Sequence, residues 1–307
     1  METMSGQVDS ALQVLARDEP PTATSVAECL ASSRVVARLT RKPVDSGLPL
    51  VWRLLALSEI PFASRLPYTQ AATARALWEL ATPEGFSYTG RVADIVPCYN
   101  AMLVTALCRL GHGDDPRVQA GVEWIRRYQA FGRGVLTAWP GEGITRHGGC
   151  LRATPCFIGV AKSTRALLAA QGPENAGRDA PLIDAGVEYL LEHRLYRRQT
   201  TGEPISAHIL DVSFPETYHV TLLELLQTVD AAGKLDDPRV DDAIEYVQAR
   251  RGEAGWTVTY AYAAPGYVAF DRRGRPSAWV TRELDRILAK RRSTESPRAA
   301  QRGATTP

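Results

Sequence analysis

Three cysteines and two histidines define the first chemical possibility in this chain. Cys98 is followed by Tyr99, Cys150 and Cys156 enclose five residues, and His147 stands just ahead of Cys150. Tyr218-His219 opens a later apolar segment at nearly the register that Cys98 and Cys156 occupy in theirs. Cys98, Cys150 and Cys156 with His147 or His219 would supply thiolates and an imidazole to a tetrahedral zinc. Helix N-termini would favour thiolate at Cys98 and Cys156. Packing is the competing role for any free cysteine, and Cys29 and Cys108 are assigned to it.

Cations, carboxylates and aromatics gather near the same positions. Arg146, Arg152 and Lys162 flank the Cys150–Cys156 segment, and Lys162 lies between Val160-Ala161 and Ala166-Leu167. A buried lysine is costly without an anion. Either an anionic ligand or a carboxylate on a neighbouring helix would satisfy it. Asp94, Asp211 and Glu216 each precede an apolar segment, and Asp94 and Asp211 are the candidate catalytic acids. Tyr88, Tyr99, Trp139, Phe157, Phe214 and Tyr218 could line a cavity or fill a core.

The elements that must position these residues are repeated. Gly121-Val-Glu-Trp124-Ile125, Gly186-Val-Glu-Tyr189-Leu190 and Ala243-Ile-Glu-Tyr246-Val247 are copies of one phrase, their aromatics 57 to 65 residues apart. That period suits a repeated helix pair. Two copies share an introduction, Asp114-Asp115-Pro116-Arg117 and Asp236-Asp237-Pro238-Arg239. Each reads as an N-cap followed by proline at the first helical position. Apolar spacing predicts helices near 50–60, 68–81, 98–111, 116–130, 156–170, 181–194, 217–233, 238–250 and 277–291. The segments at 98–111, 156–170 and 217–233 are apolar nearly all round, whereas those after them carry a charged stripe. An inner and an outer ring of helices would produce this alternation. One short strand is expected at 257–262. Residues 1–48 read as a helical extension, 49–290 as the repeat domain, and 291–307 as a tail without enough apolar surface to fold.

Bulk composition narrows the partners. The chain has 307 residues, 45% hydrophobic and 23% charged, with a formal net charge of +2. That balance does not suggest a nucleic-acid footprint. No stretch reaches the roughly 20 apolar residues of a spanning helix. No apolar leader follows Met1, so a cytoplasmic setting with reduced thiols is expected. Oligomeric state is not readable here.

The repeated phrase resembles the QW repeat of squalene and oxidosqualene cyclases: small residue, aromatic, aliphatic, Gln, then Gly-x-Trp. One copy has Trp124-Ile125, Gln129 and Gly132-Arg-Gly134; another has Tyr246-Val247, Arg251 and Gly255-Trp256. Cys98-Tyr99, Cys150 to Cys156, and Pro276-Ser-Ala-Trp279 are similar to features of small bacterial prenyltransferase/squalene-oxidase-repeat proteins. The resemblance covers about residues 50–290 and implies an all-α fold, the α/α toroid of terpenoid cyclases and protein prenyltransferases. It implies a central cavity for an isoprenoid or other apolar small molecule, with zinc as a possible cofactor. Asp94 or Asp211 would then be the acid, Lys162 and Arg152 would contact a diphosphate, and Tyr99, Phe157 and Tyr218 would bind the chain. The family's Asp-x-Asp-Asp acid run and the Asp-x-Cys zinc spacing are absent. Two rivals are a zinc-dependent, thiol-activating peptide-modifying toroid like the lanthionine cyclases, and a non-catalytic lipid-binding scaffold.

Overall fold

A computed structural model describes residues 8–13, 21–142, 150, 154–172 and 176–303. The fold is predominantly helical. In chain order its helices are α1 (Ser10–Gln13), α2 (Ala23–Ser32), α3 (Arg34–Thr40), α4 (Gly47–Ser58), α5 (Pro67–Glu79), α6 (Pro97–Arg109), α7 (Pro116–Tyr128), α8 (Phe157–Ala169), α9 (Ala176–Glu192), α10 (Leu222–Ala231), α11 (Asp241–Gln248) and α12 (Ala278–Gly303). Among the described residues the only sheet pairs β1 (Ala81–Thr82) antiparallel with β2 (Gly85–Phe86).

The expected strand at 257–262 is not one. Thr257 makes an isolated bridge to Pro276, and the Thr259 N–H donates to the Val212 carbonyl at 2.9 Å while the Val212 N–H donates to Thr259 Oγ1 at 2.8 Å. The segment crosses the loop before α10 too briefly to build a ladder. It is one of two long loops, 193–221 and 249–277, that bond to each other; Phe270 N–H, for example, donates to the Phe214 carbonyl at 3.1 Å.

Helices α4, α6, α8 and α10 pack successively side by side, and α7 and α9 each pack on the helix that precedes them. The repeated phrase explains this second contact. A Cβ on Gly121 would lie 2.7 Å from Val104 Cγ2, and one on Gly186 would lie 2.1 Å from Thr164 Oγ1. The small residue is therefore where one helix backbone crosses its partner's side chains. Ala243 is the third copy and is fully buried. The shared introduction is a self-capping unit. Asp115 accepts from the Arg117 N–H at 2.9 Å and pairs with its guanidinium; Asp237 and Arg239 do the same.

The two termini differ in how they stand against expectation: the first is helical as read, and the second is longer. In the N-terminal extension, α1, α2 and α3 pack together, and Arg38 Nη2 donates to the Phe270 carbonyl at 2.7 Å. At the other end, α12 continues to Gly303 instead of giving way to a tail at residue 291. Lys, Arg, Glu, Gln and Ala are good helix formers, which suits a helix with little apolar surface. Arg291 anchors that portion, being buried and paired with Asp241 at 2.5 Å.

The close crossing at Gly186 is testable by a double-mutant cycle. Gly186→Ala should cost about 1–3 kcal/mol in urea denaturation, from overpacking against Thr164. Adding Thr164→Ala should return most of it. Simple additivity of the two losses would refute the contact.

Candidate functional site

Lys162 lies in the second turn of α8 and is 1% exposed. Its ammonium has three protons, and three acceptors meet them: Glu216 Oε1 at 2.7 Å, Glu224 Oε2 at 2.7 Å and the Thr217 carbonyl at 2.9 Å. The network extends one turn further. Arg165 Nε approaches Glu216 Oε2 at 3.5 Å, and its Nη2 donates to Gln227 Oε1 at 2.9 Å. Arg109, at the end of α6, donates to Glu59 Oε1 at 2.6 Å. Three cations thus face three carboxylates inside the helix array. Burial alone would raise Glu216, yet Lys162, Arg165 and Arg109 more than offset it and hold the carboxyl at about 2. Burial dominates at Glu224, with Glu216 adding to it, and the group is raised to about 7.

This corrects the anion-binding role expected of Lys162. Its donors are already met by the chain, so it has none to offer a diphosphate. The Thr217 carbonyl also serves Lys162 instead of a helical N–H, and α10 begins at Leu222 rather than at 217. Arg146, Arg152 and His147 lie outside the described residues.

A cavity of about 160 Å³ lies near the N-terminal ends of α6 and α8, walled by Val96, Cys98, Tyr99, Cys150, Tyr218 and Tyr262. Further rings back these walls. Tyr99 lies 4.9 Å from Tyr88, 6.1 Å from Trp52 and 6.2 Å from Tyr218 between centroids, and Tyr262 lies 5.3 Å from Trp52. Burial pushes the Tyr99 and Tyr218 hydroxyls well above the usual phenol range, so both are neutral donors at physiological pH. A second, apolar crevice beside Trp256 and Tyr246, about 20 Å³, is room for about one water.

The thiols occupy different electrostatic environments. Burial, with Cys156 nearby, pushes Cys98 up to about 12, overriding its position at a helix start. This reverses the thiolate expected there. Cys156 is the N-cap residue of α8. The Cys150 thiol donates to its sulfur and lowers it to about 6, against burial. The Ile158 and Gly159 N–H groups assist without closing a capping bond. Cys150 is raised by the same contact. The two residues are also joined through the backbone, Cys156 N–H donating to the Cys150 carbonyl at 3.0 Å. Cys29 is buried; Cys108 is half-buried, and burial raises it to about 11.

Other expected site residues fall elsewhere. Asp94 is 1% exposed, and its Oδ2 accepts from Thr89 Oγ1 at 2.8 Å and Arg91 Nε at 2.9 Å. A carboxylate in that salt bridge is a poor proton donor, which corrects its role as the acid. Asp211 is also an acceptor, from Thr259 Oγ1 at 2.7 Å and with His208 Nδ1 at 3.0 Å. His208 stacks on Tyr260 at 3.9 Å and lies 4.5 Å from His219. His219 contacts Tyr218 and Tyr262 ring to ring and is not itself one of the cavity's walls. Phe157 is not a cavity wall; it packs against Tyr189 and His193 on the α9 side. Trp139 packs on Trp124, and Phe214 on Phe270 and Trp279.

The expected zinc set is not assembled among the described residues, where no three His, Cys, Asp or Glu side chains are arranged to hold a metal ion. No described helix is long and apolar enough to cross a membrane. Comparison with family models, curated proteins and solved structures returned no match, so the family resemblance rests on the chain's own residues.

The Lys162 network carries a pH signature. Lys162→Met should cost about 3–5 kcal/mol near neutral pH, by leaving Glu216 and Glu224 with too few partners. The variant's glutamates would then be raised in the folded state, and it should gain stability as pH falls toward about 4.5. Wild type keeps Glu216 ionised until about 2, so that share is complete above the unfolded value and is lost only in stronger acid. Glu224, raised to about 7, already adds stability in wild type as pH falls. The narrowing of the gap therefore reports the added shift of the two glutamates once Lys162 is gone. Urea titrations from pH 8 to 4.5 should show the gap narrowing; a constant gap would exclude Lys162 as their counter-ion.

Proposed function

We propose that the chain is an α/α toroid whose cavity holds an isoprenoid or similarly apolar small molecule, as the resemblance to terpenoid cyclases and prenyltransferases implies. The convergence of Tyr99, Tyr218 and Tyr262 on one cavity, backed by Trp52 and Tyr88, is the observation that carries this reading. Ring faces bind apolar chains and stabilise cationic centres, while the neutral hydroxyls orient a polar end group. At about 160 Å³ the cavity is smaller than the roughly 300–1,000 Å³ usual for drug-sized ligands, which favours a short prenyl chain.

The head group is read differently from the original expectation. Lys162 is satisfied by Glu216 and Glu224, so the described walls recognise the apolar chain and Lys162 contributes no diphosphate contact. A second reading, zinc-assisted thiol chemistry on a peptide, is favoured by the two cysteines on the cavity wall, Cys98 and Cys150, with Cys156 bonded to Cys150 through the backbone.

Native mass spectrometry of freshly purified protein separates the two, through retained lipid in one case and retained zinc in the other. In thermal-shift titrations, a short prenyl alcohol and its diphosphate should raise the melting temperature alike, because a ligand selective for the folded state stabilises it. Tyr99→Ala and Tyr218→Ala should each weaken the alcohol's apparent affinity about tenfold. A shift seen with the diphosphate alone would overturn the chain-recognition reading. No shift with either would remove the isoprenoid assignment.

A further inference from the structure

Helix α5 turns an apolar stripe to solvent where α7 and α9 turn charge. Pro67, Ala71, Ala74 and Trp78 recur at i, i+4, i+7 and i+11 and are all exposed, while Thr69, Ala72, Thr73, Ala76 and Leu77 are buried. The exposed residues of α7 and α9 include Arg117, Arg127, Asp184 and Glu188. Trp78 is 86% exposed, more than any other large hydrophobic side chain among the described residues, and the other five tryptophans are buried. Apolar surface continues at both ends of the helix. Phe62 is exposed just before it, and Gly90 brings the exposed Val92 to its C-terminal end, where a Cβ on Gly90 would lie 2.3 Å from the Glu79 carbonyl oxygen.

Cations border this surface. Arg65 lies over the Phe62 ring at 5.0 Å, and the exposed Arg91 adjoins Val92. Arg75 donates to the Val44 carbonyl at 3.2 Å and the Tyr68 hydroxyl to the Pro43 carbonyl at 3.4 Å, which holds the exposed Arg41 and Lys42 beside α5. The acids of these segments are all taken: Glu79 by Arg75, Asp94 by Arg91 and Asp45 by Arg53. Arg41, Lys42 and Arg65 are left without an ion pair among the described residues.

We infer that this face of α5 docks on an anionic bilayer surface, with Trp78 seated at the headgroup level and Arg41, Lys42 and Arg65 on lipid phosphates. An apolar stripe with a basic border is the composition of an element that lies on a membrane without spanning it. The amphipathic indole ring favours the headgroup region. Each cation held near an anionic surface strengthens binding about fivefold. The sign of the border selects the occupant. A second copy of the chain would bring two sets of unpaired cations together, whereas anionic lipid neutralises them. A formal net charge of +2 does not oppose this, because the excess is local. The inference is independent of the cavity's ligand, since vesicle binding is measured without one.

The test mixes the full-length protein with vesicles of phosphatidylcholine alone, or of phosphatidylcholine with phosphatidylglycerol. Co-sedimentation measures binding, and tryptophan emission reports Trp78 because the other five indoles are already buried. Mixed vesicles should bind about a hundredfold tighter than neutral ones and shift the emission to the blue, and salt should weaken both effects. Trp78→Ala should weaken binding about tenfold and remove the blue shift. Arg41→Ala combined with Lys42→Ala should weaken it about twentyfold. Leu136→Ala, at another exposed apolar residue, should change neither. All these side chains are exposed, so the variants should melt with wild type. The wild-type lipid preference and blue shift decide alone if a variant does not fold. Equal binding to the two vesicles, binding to neither, full binding by Trp78→Ala, or a Trp78-dependent dimer that ignores vesicles would each overturn the inference.

Discussion

The buried ammonium of Lys162 is the constraint around which the helices are arranged. A charge at that depth is tolerable only with close partners, and it draws them from distant parts of the chain: Glu216 and Thr217 in a loop, Glu224 in α10. Arg165 and Arg109 then share the remaining charge of Glu216 and bring in Glu59 at the end of α4. Four successive helices are thereby tied at one level. The geometry is directional in a way that apolar packing is not, so it specifies the relative rotation of α8 and α10. Apolar substitution of the whole network could be nearly neutral in stability, while removal of one member leaves a buried charge exposed to its own desolvation.

That network also determines where an open site can exist. Charged side chains fill the space between the helices beside Lys162, and the cavity lies toward the helix starts, where Cys98 and Cys156 are. Its walls come from both sources of the fold: Tyr99 from a helix, Tyr218 and Tyr262 from the two interlocked loops. The loops are held by Thr259 to Val212 and Asp211, by Phe270 to Phe214, and by the Tyr267 hydroxyl to the Pro215 carbonyl. Asp211, expected as an acid, is thus a fastening point for the walls.

The helices were readable because their signals are local. Apolar spacing, Asp-Pro starts and the small residue of each repeated phrase all act within one or two turns, and the structure gives each a visible cause. The partners of the site residues are long-range, and less of them could be read. Lys162 was recognisable as an anomaly on an apolar helix, yet its anion could not be named. Glu224, inside Leu222-Leu-Glu-Leu-Leu226, is the complementary anomaly and would have been the signal to pair with it. Arg91, three residues before Asp94, similarly marks a salt bridge. Trp52 and Tyr262 had no such mark, since no periodicity in a loop or a fully apolar helix distinguishes a cavity wall from core.

The electrostatics restrict which chemistry the described walls can support. Tyr99, Tyr218 and Cys98 are held neutral by burial, and the carboxylates once expected to act as acids are acceptors in bonded networks. Neither carboxylate lies among the cavity's walls, and the wall groups Tyr99, Tyr218 and Cys98 hold their protons. The Cys150–Cys156 pair is different, because their contact divides them: Cys150 on the cavity wall is raised, while Cys156, at the start of α8, is lowered to about 6. An apolar ring of phenols would lower the local dielectric around that anion, and the helix-start amides of α8 would counter the cost. The site's physical character is therefore a hydrophobic receptacle whose walls supply shape and whose own thiols, Cys98 and Cys150, are held protonated, with the lowered thiol of Cys156 bonded to Cys150 at the start of α8.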